Sequence, residues 1–128
     1  MPAPFAELPA NLSRVCVVRV ETFDDRTAFP TWDNGVLVGA TRGGTHFCYI
    51  AEPGVHEIVM GAKNTISLAA TLEAGKGYYL EHEAIPAAGV TNVKATWIAD
   101  ATAKLLLGQS SYEVITEVPK SPCRTLPR

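Results

Sequence analysis

His46, His56 and His82 are the side chains of this sequence with the widest chemical range. Imidazole binds metals and moves protons near neutral pH. A metal site needs ligands that converge on one point, so the faces on which the three rings sit decide the matter. If Pro53-Gly54 is a two-residue hairpin loop, Glu52 pairs with Val55 and Ala51 with His56. His56 then shares a face with Phe47, Tyr49, Ile58 and Met60, while His46 falls on the other face with Cys48, Ile50, Glu57 and Val59. The two rings diverge, and no metal site is expected. A histidine just after a Pro-Gly turn suits a hydrogen bond to turn backbone. A contact with a ligand is the other role open to His56.

The remaining constellations are weaker. On a strand, Glu81 and Glu83 share a face with His82 opposite, a pattern compatible with paired-carboxylate acid–base work or with a solvated strand face. Cys48 lies two residues from His46 on one strand face, the spacing of a thiol–imidazole pair. Ser67, Ser110 and Ser111 lack the Gly-x-Ser-x-Gly elbow. Arg42-Gly43-Gly44-Thr45 lacks the lysine and length of a phosphate loop. No catalytic residue and no cofactor are expected. Cys16 and Cys48 both fall mid-strand. They can form a disulfide if their strands adjoin, or remain buried thiols. Cys123 lies in the tail and is expected to be exposed. Phe29-Pro30-Thr31-Trp32 sits in a long connection, and Phe29 and Trp32, with His56, are the expected contact residues.

These side chains are carried by short segments with strand character. Residues 14–20, 36–41, 45–50, 55–60, 65–72, 78–83 and 93–98 are rich in β-branched and aromatic residues, often in alternation. Between them stand turn formers: Asn34-Gly35, Arg42-Gly43-Gly44, Pro53-Gly54, Lys63-Asn64 and Gly75-Lys76-Gly77. Residues 84–92, with Pro86 and Gly89, are expected to loop. One edge strand is expected near Thr31 and Trp32, and a last strand over 112–118. Residues 100–107 make the one helical segment, with Asp100 as N-cap and Gly108 at its end. Strands recurring every roughly 8–12 residues describe a sandwich or barrel.

The chain of 128 residues is long enough for one self-sufficient core. Its 47% hydrophobic and 19% charged residues are globular composition rather than disordered. Net charge is -2 without a basic stripe, so no nucleic-acid partner is expected. No apolar run reaches membrane-span length. Met1-Pro2-Ala3-Pro4-Phe5 lacks the basic region and apolar core of a signal peptide.

Two blocks, Pro53-Gly54-Val55-His56 and Ala74-Gly75-Lys76-Gly77-Tyr78-Tyr79, resemble an uncharacterised family of small bacterial envelope and lipoprotein domains. The strand ending at Arg19 and the segment Asn34-Gly35-Val36-Leu37-Val38-Gly39 correspond to further parts of that pattern. The resemblance spans residues 14–107. It implies a small β-sandwich and carries over no catalytic residue. The family's lipidated N-terminal cysteine has no counterpart here.

The combined expectation is an all-β, antiparallel sandwich of seven or eight strands with one short C-terminal helix. Residues 1–13 form an irregular arm, 14–118 the sandwich and 119–128 a tail. The function expected is a non-catalytic envelope module that contacts another envelope protein, or itself, through edge strands. A small-ligand or metal-binding protein and a small hydrolase are the alternatives. The location expected is the periplasm or cell envelope, given an omitted leader, with the cytoplasm as alternative.

Overall fold

The structure is a computed structural model that describes residues 8–20, 27–61, 64–87 and 90–113. Two sheets face each other. One holds β1 (Ser13–Arg19), β4 (Thr45–Ala51), β7 (Gly77–Ala87), β8 (Val90–Ile98) and β9 (Ser111–Tyr112), in the order β8-β7-β1-β4-β9. The other holds β2 (Phe29–Asp33), β3 (Val36–Thr41), β5 (Gly54–Gly61) and β6 (Thr65–Leu72), in the order β3-β2-β5-β6. The all-β sandwich with one short helix is therefore the observed fold, with nine strands among the described residues. It is not antiparallel throughout: β1 pairs in parallel with β7, and β4 with β9.

The core forms where the inward faces meet. Val15, Val17, Phe47, Tyr49 and Leu80 come from one sheet, and Phe29, Ile58, Met60 and Leu72 from the other. β1 is buried along its whole length because α1 (Asp100–Gly108) covers the outer side of its sheet. Cys16, Val18, Cys48 and Tyr79 pack there against Ala103 and Leu107. This accounts for the unbroken apolar run 15–18, which serves two packed faces rather than one. Cys16 and Cys48 are direct register partners, with Cα atoms 4.0 Å apart, and their sulfurs are bonded.

Several local expectations need correction. The Pro53-Gly54 segment closes no hairpin, since β4 and β5 lie in different sheets. Crossing over lets Phe47 and Tyr49 enter the core from one side and Ile58 and Met60 from the other. The edge strand expected near Thr31 is a central strand, held between β3 and β5. Pro30 is tolerated because β5 pairs only with Thr31–Asp33, beyond the proline. The loop expected at 84–92 is mostly strand: β7 runs on to Ala87, paired with β8. Asp100 lies inside the first helical turn rather than capping it; Ala99 is the N-cap, without a side-chain bond. An aspartate there still opposes the positive end of the helix dipole. β1 starts at Ser13, one residue early. The tail with Cys123 and most of the strand expected at 112–118 lie outside the described residues.

Candidate functional site

The β2–β3 hairpin turns on Asn34-Gly35, both with positive φ, 48° and 84°. That is the turn whose twist matches paired strands, and Asn and Gly are the residues that adopt it cheaply. The turn fixes Asp33 at the end of β2, facing the segment that leads from β4 to β5. Asn34 is fastened to β5 twice: its N–H donates to the Glu57 carbonyl at 2.9 Å, and its side-chain oxygen accepts from the Glu57 N–H at 2.9 Å.

Three ionisable side chains meet at this end of the sandwich. Tyr49, from β4, donates its hydroxyl to Asp33 Oδ2 at 2.8 Å. His56, from β5, donates Nδ1–H to Asp33 Oδ1 at 2.5 Å and Nε2–H to the Glu52 carbonyl oxygen at 2.7 Å. A carboxylate and a carbonyl only accept, so both contacts are satisfied together when His56 carries two protons. Burial opposes that charge. The Asp33 bond, the Glu52 carbonyl and the nearby Asp33 and Glu52 carboxylates outweigh it, and the His56 pKa is raised above 6.5. Burial, then the negative charge and hydrogen bond of Asp33, push the Tyr49 phenol far above its ordinary range. The assembly is thus an ion pair buttressed by a phenol. It ties β2, β4 and β5 together across both sheets.

Above it lies an open cleft of about 390 Å³. Asp33, Tyr49 and His56 line it together with Val38, Ile50 and Val55. Val55 is 75% exposed and Ile50 40%, which gives the cleft an apolar rim. The chemistry available is limited by the geometry. An imidazole acts as a general base through a free nitrogen, and both nitrogens of His56 are engaged. The turn-backbone contact expected of His56 is present as the Glu52 bond. Its pairing with Asp33 and Tyr49 was not legible in the sequence, because it requires β4 and β5 to sit in opposite sheets.

The other candidate residues do not join this site. Phe29 and Trp32 form no exposed patch: Phe29 is fully buried in the core, and Trp32 packs against Val59 on the outer face of its sheet. Phe29 is covered by the core between the two sheets, and Trp32 by Val59 of the neighbouring β5. His46 meets Ser110 Oγ at 2.8 Å through Nδ1, beside the end of α1, and burial lowers its pKa. The Cys48 sulfur is bonded to Cys16 and is not available as a thiolate. His82 is completely buried between the sheets, with Nδ1 2.9 Å from Thr41 Oγ1 and Nε2 3.0 Å from Met60 Sδ. A thioether only accepts, so Nε2 carries the proton and Nδ1 receives the threonine hydroxyl. Glu83, next in sequence, faces the opposite side of the sheet and pairs in register with Lys94. No group of metal-ligating side chains is found among the described residues.

Sequence reasoning also missed Arg19. It continues the inward row of Val15 and Val17, is fully buried, and lies over the Phe29 ring at 4.1 Å. Its guanidinium donates to the Thr27 carbonyl at 2.6 Å. Its strand parity was a usable signal, although a buried arginine is rare.

A second feature is backbone rather than side chain. β6 pairs with β5 in unbroken register from Gly54↔Leu72 to Gly61↔Thr65 and has no strand on its other side among the described residues. Its eight residues include no charge, proline or bulge. Other edges carry devices that discourage strand addition. β3 has a register shift in its pairing with β2, and β8 holds Lys94.

No protein-family model, curated protein or solved structure matches this chain.

Proposed function

We propose that this chain is a non-catalytic cell-envelope domain that acts by pairing a strand of another polypeptide with the free edge of β6. The observation that carries the reading is the edge itself, which no strand covers among the described residues: eight residues in regular register, uncharged and proline-free. Such an edge offers a row of backbone donors and acceptors that an added strand completes. The engagement of both His56 nitrogens supports a role that is not catalytic. The Cys16–Cys48 bond supports an oxidising compartment, since disulfides persist in secreted and periplasmic proteins and are rare in the cytosol. The resemblance to envelope domains points the same way.

The test is amide hydrogen exchange on the dilute protein, with and without a short synthetic peptide of alternating threonine and valine. Slower exchange over Thr65–Leu72 is the expected result. Unchanged exchange there, with the peptide soluble and in excess, overturns the reading.

A further inference from the structure

We infer that the strand accepted by β6 is the β6 of a second copy, added antiparallel about a two-fold axis so that two four-stranded sheets join into one. This rests on the edge-pairing function proposed above and names the partner for it.

A strand pairs with its own copy only where the residues brought together are compatible on both faces. A two-fold axis through Ala69 sets Leu68 against Ala70, Ser67 against Thr71 and Ile66 against Leu72. The segment 66–72 is close to palindromic in character about that point. The period-two rule is met as well, because each of these pairs joins residues of one face. Ile66, Leu68, Ala70 and Leu72 point to the core, whereas Ser67, Ala69 and Thr71 are exposed on the outer side.

The pairing is chemically consistent. On the outer side, Ser67 Oγ already donates to Glu57 Oε2 at 3.1 Å, so it can accept the hydroxyl of the copy's Thr71, and Ala69 meets Ala69 without crowding. On the inner side, Ile66, Leu68 and Ala70 are only half-buried at the sandwich edge. A second copy covers their remaining apolar surface with the same side chains. The strand itself has no charge to repel its copy. A two-fold contact of this kind is closed and stops at two chains. β3, at the other edge of the sheet, carries an extra residue at Val38, where its pairing with β2 shifts between Thr31 and Trp32, and this disfavours further growth into a filament.

The experiment is sedimentation velocity on the full chain and two double variants, with thermal unfolding as a check that each is folded. Ser67→Lys with Thr71→Lys places two ammonium pairs face to face, and self-association weakens by roughly tenfold. Ser67→Lys with Thr71→Glu places opposite charges face to face in the same register, and the dimer is kept. A dimer that persists unchanged in the double-lysine variant overturns the inference, because it uses another surface. Equal loss in both variants overturns the proposed register. A chain that is monomeric throughout, yet whose Thr65–Leu72 amides are slowed by the synthetic peptide, refutes self-pairing and leaves the edge-pairing function standing. Loss of both effects refutes both.

Discussion

Acidification should unfold this protein through His82. The ring is completely buried; burial, then the nearby Arg19 charge, lowers its pKa to about 3. The unfolded chain takes up the same proton near the ordinary value of 6.5. Between those values the unfolded state binds more protons than the folded one, so stability falls as pH falls. Each pH unit in that window costs about 1.4 kcal/mol, so the step from about pH 7.5 to about pH 4.5 costs roughly 3 kcal/mol. That is a large part of the stability of an ordinary domain. The assay is urea unfolding followed by tryptophan fluorescence at several pH values, on the wild type and on His82→Gln. The variant loses the titrating group and keeps a polar side chain for Thr41. Its absolute stability will be lower, but the informative quantity is the difference between the two pH slopes. Contributions from carboxylates, from His46 and from His56 are common to both proteins and cancel. The wild type should lose roughly 3 kcal/mol more than the variant over this interval. Parallel curves would refute a neutral His82 held between Thr41 and Met60.

Two further outcomes follow from the same contacts. Replacing Cys16 and Cys48 together by alanine removes a link between residues 32 apart in sequence. The urea midpoint should drop by the equivalent of about 3–4 kcal/mol, and a drop near zero would mean that the link does not constrain the unfolded chain. His56 has the opposite sign to His82: its raised pKa gives stability that is fully present below 6.5 and lost as pH rises through the folded value. Its ring-proton resonance should therefore titrate above 6.5 and move down in Asp33→Asn, and a titration that ignores Asp33 would remove the ion pair from the site.

How much was legible depended on the range of the interaction involved. Asn34-Gly35 announced a positive-φ turn because only a few residue types adopt one without strain, and the turn is there. Alternation marked the inward row of β6, and the turn residues bounded most strands. The cysteines were correctly placed mid-strand, although their bond awaited the β1–β4 register. Phe29 and Trp32 misled because an aromatic pair beside a proline has the same composition in an exposed loop as in a covered central strand. The Asp33–His56–Tyr49 group was missed as a unit, since its members belong to three strands divided between two sheets.

By itself the sequence determined what each short segment does: which residues alternate, where the chain must turn, and which strands hold cysteine or histidine. Those choices are settled by backbone sterics and by the burial of one face, acting over a few residues. Only the tertiary structure decided which strand lies beside which. It sent β4 and β5 to opposite sheets, buried His82 against Met60, paired His56 with Asp33 and set β6 at the edge of its sheet among the described residues. Strand partners are chosen by how a whole set of faces packs around one core, and no local stretch of the chain holds that information.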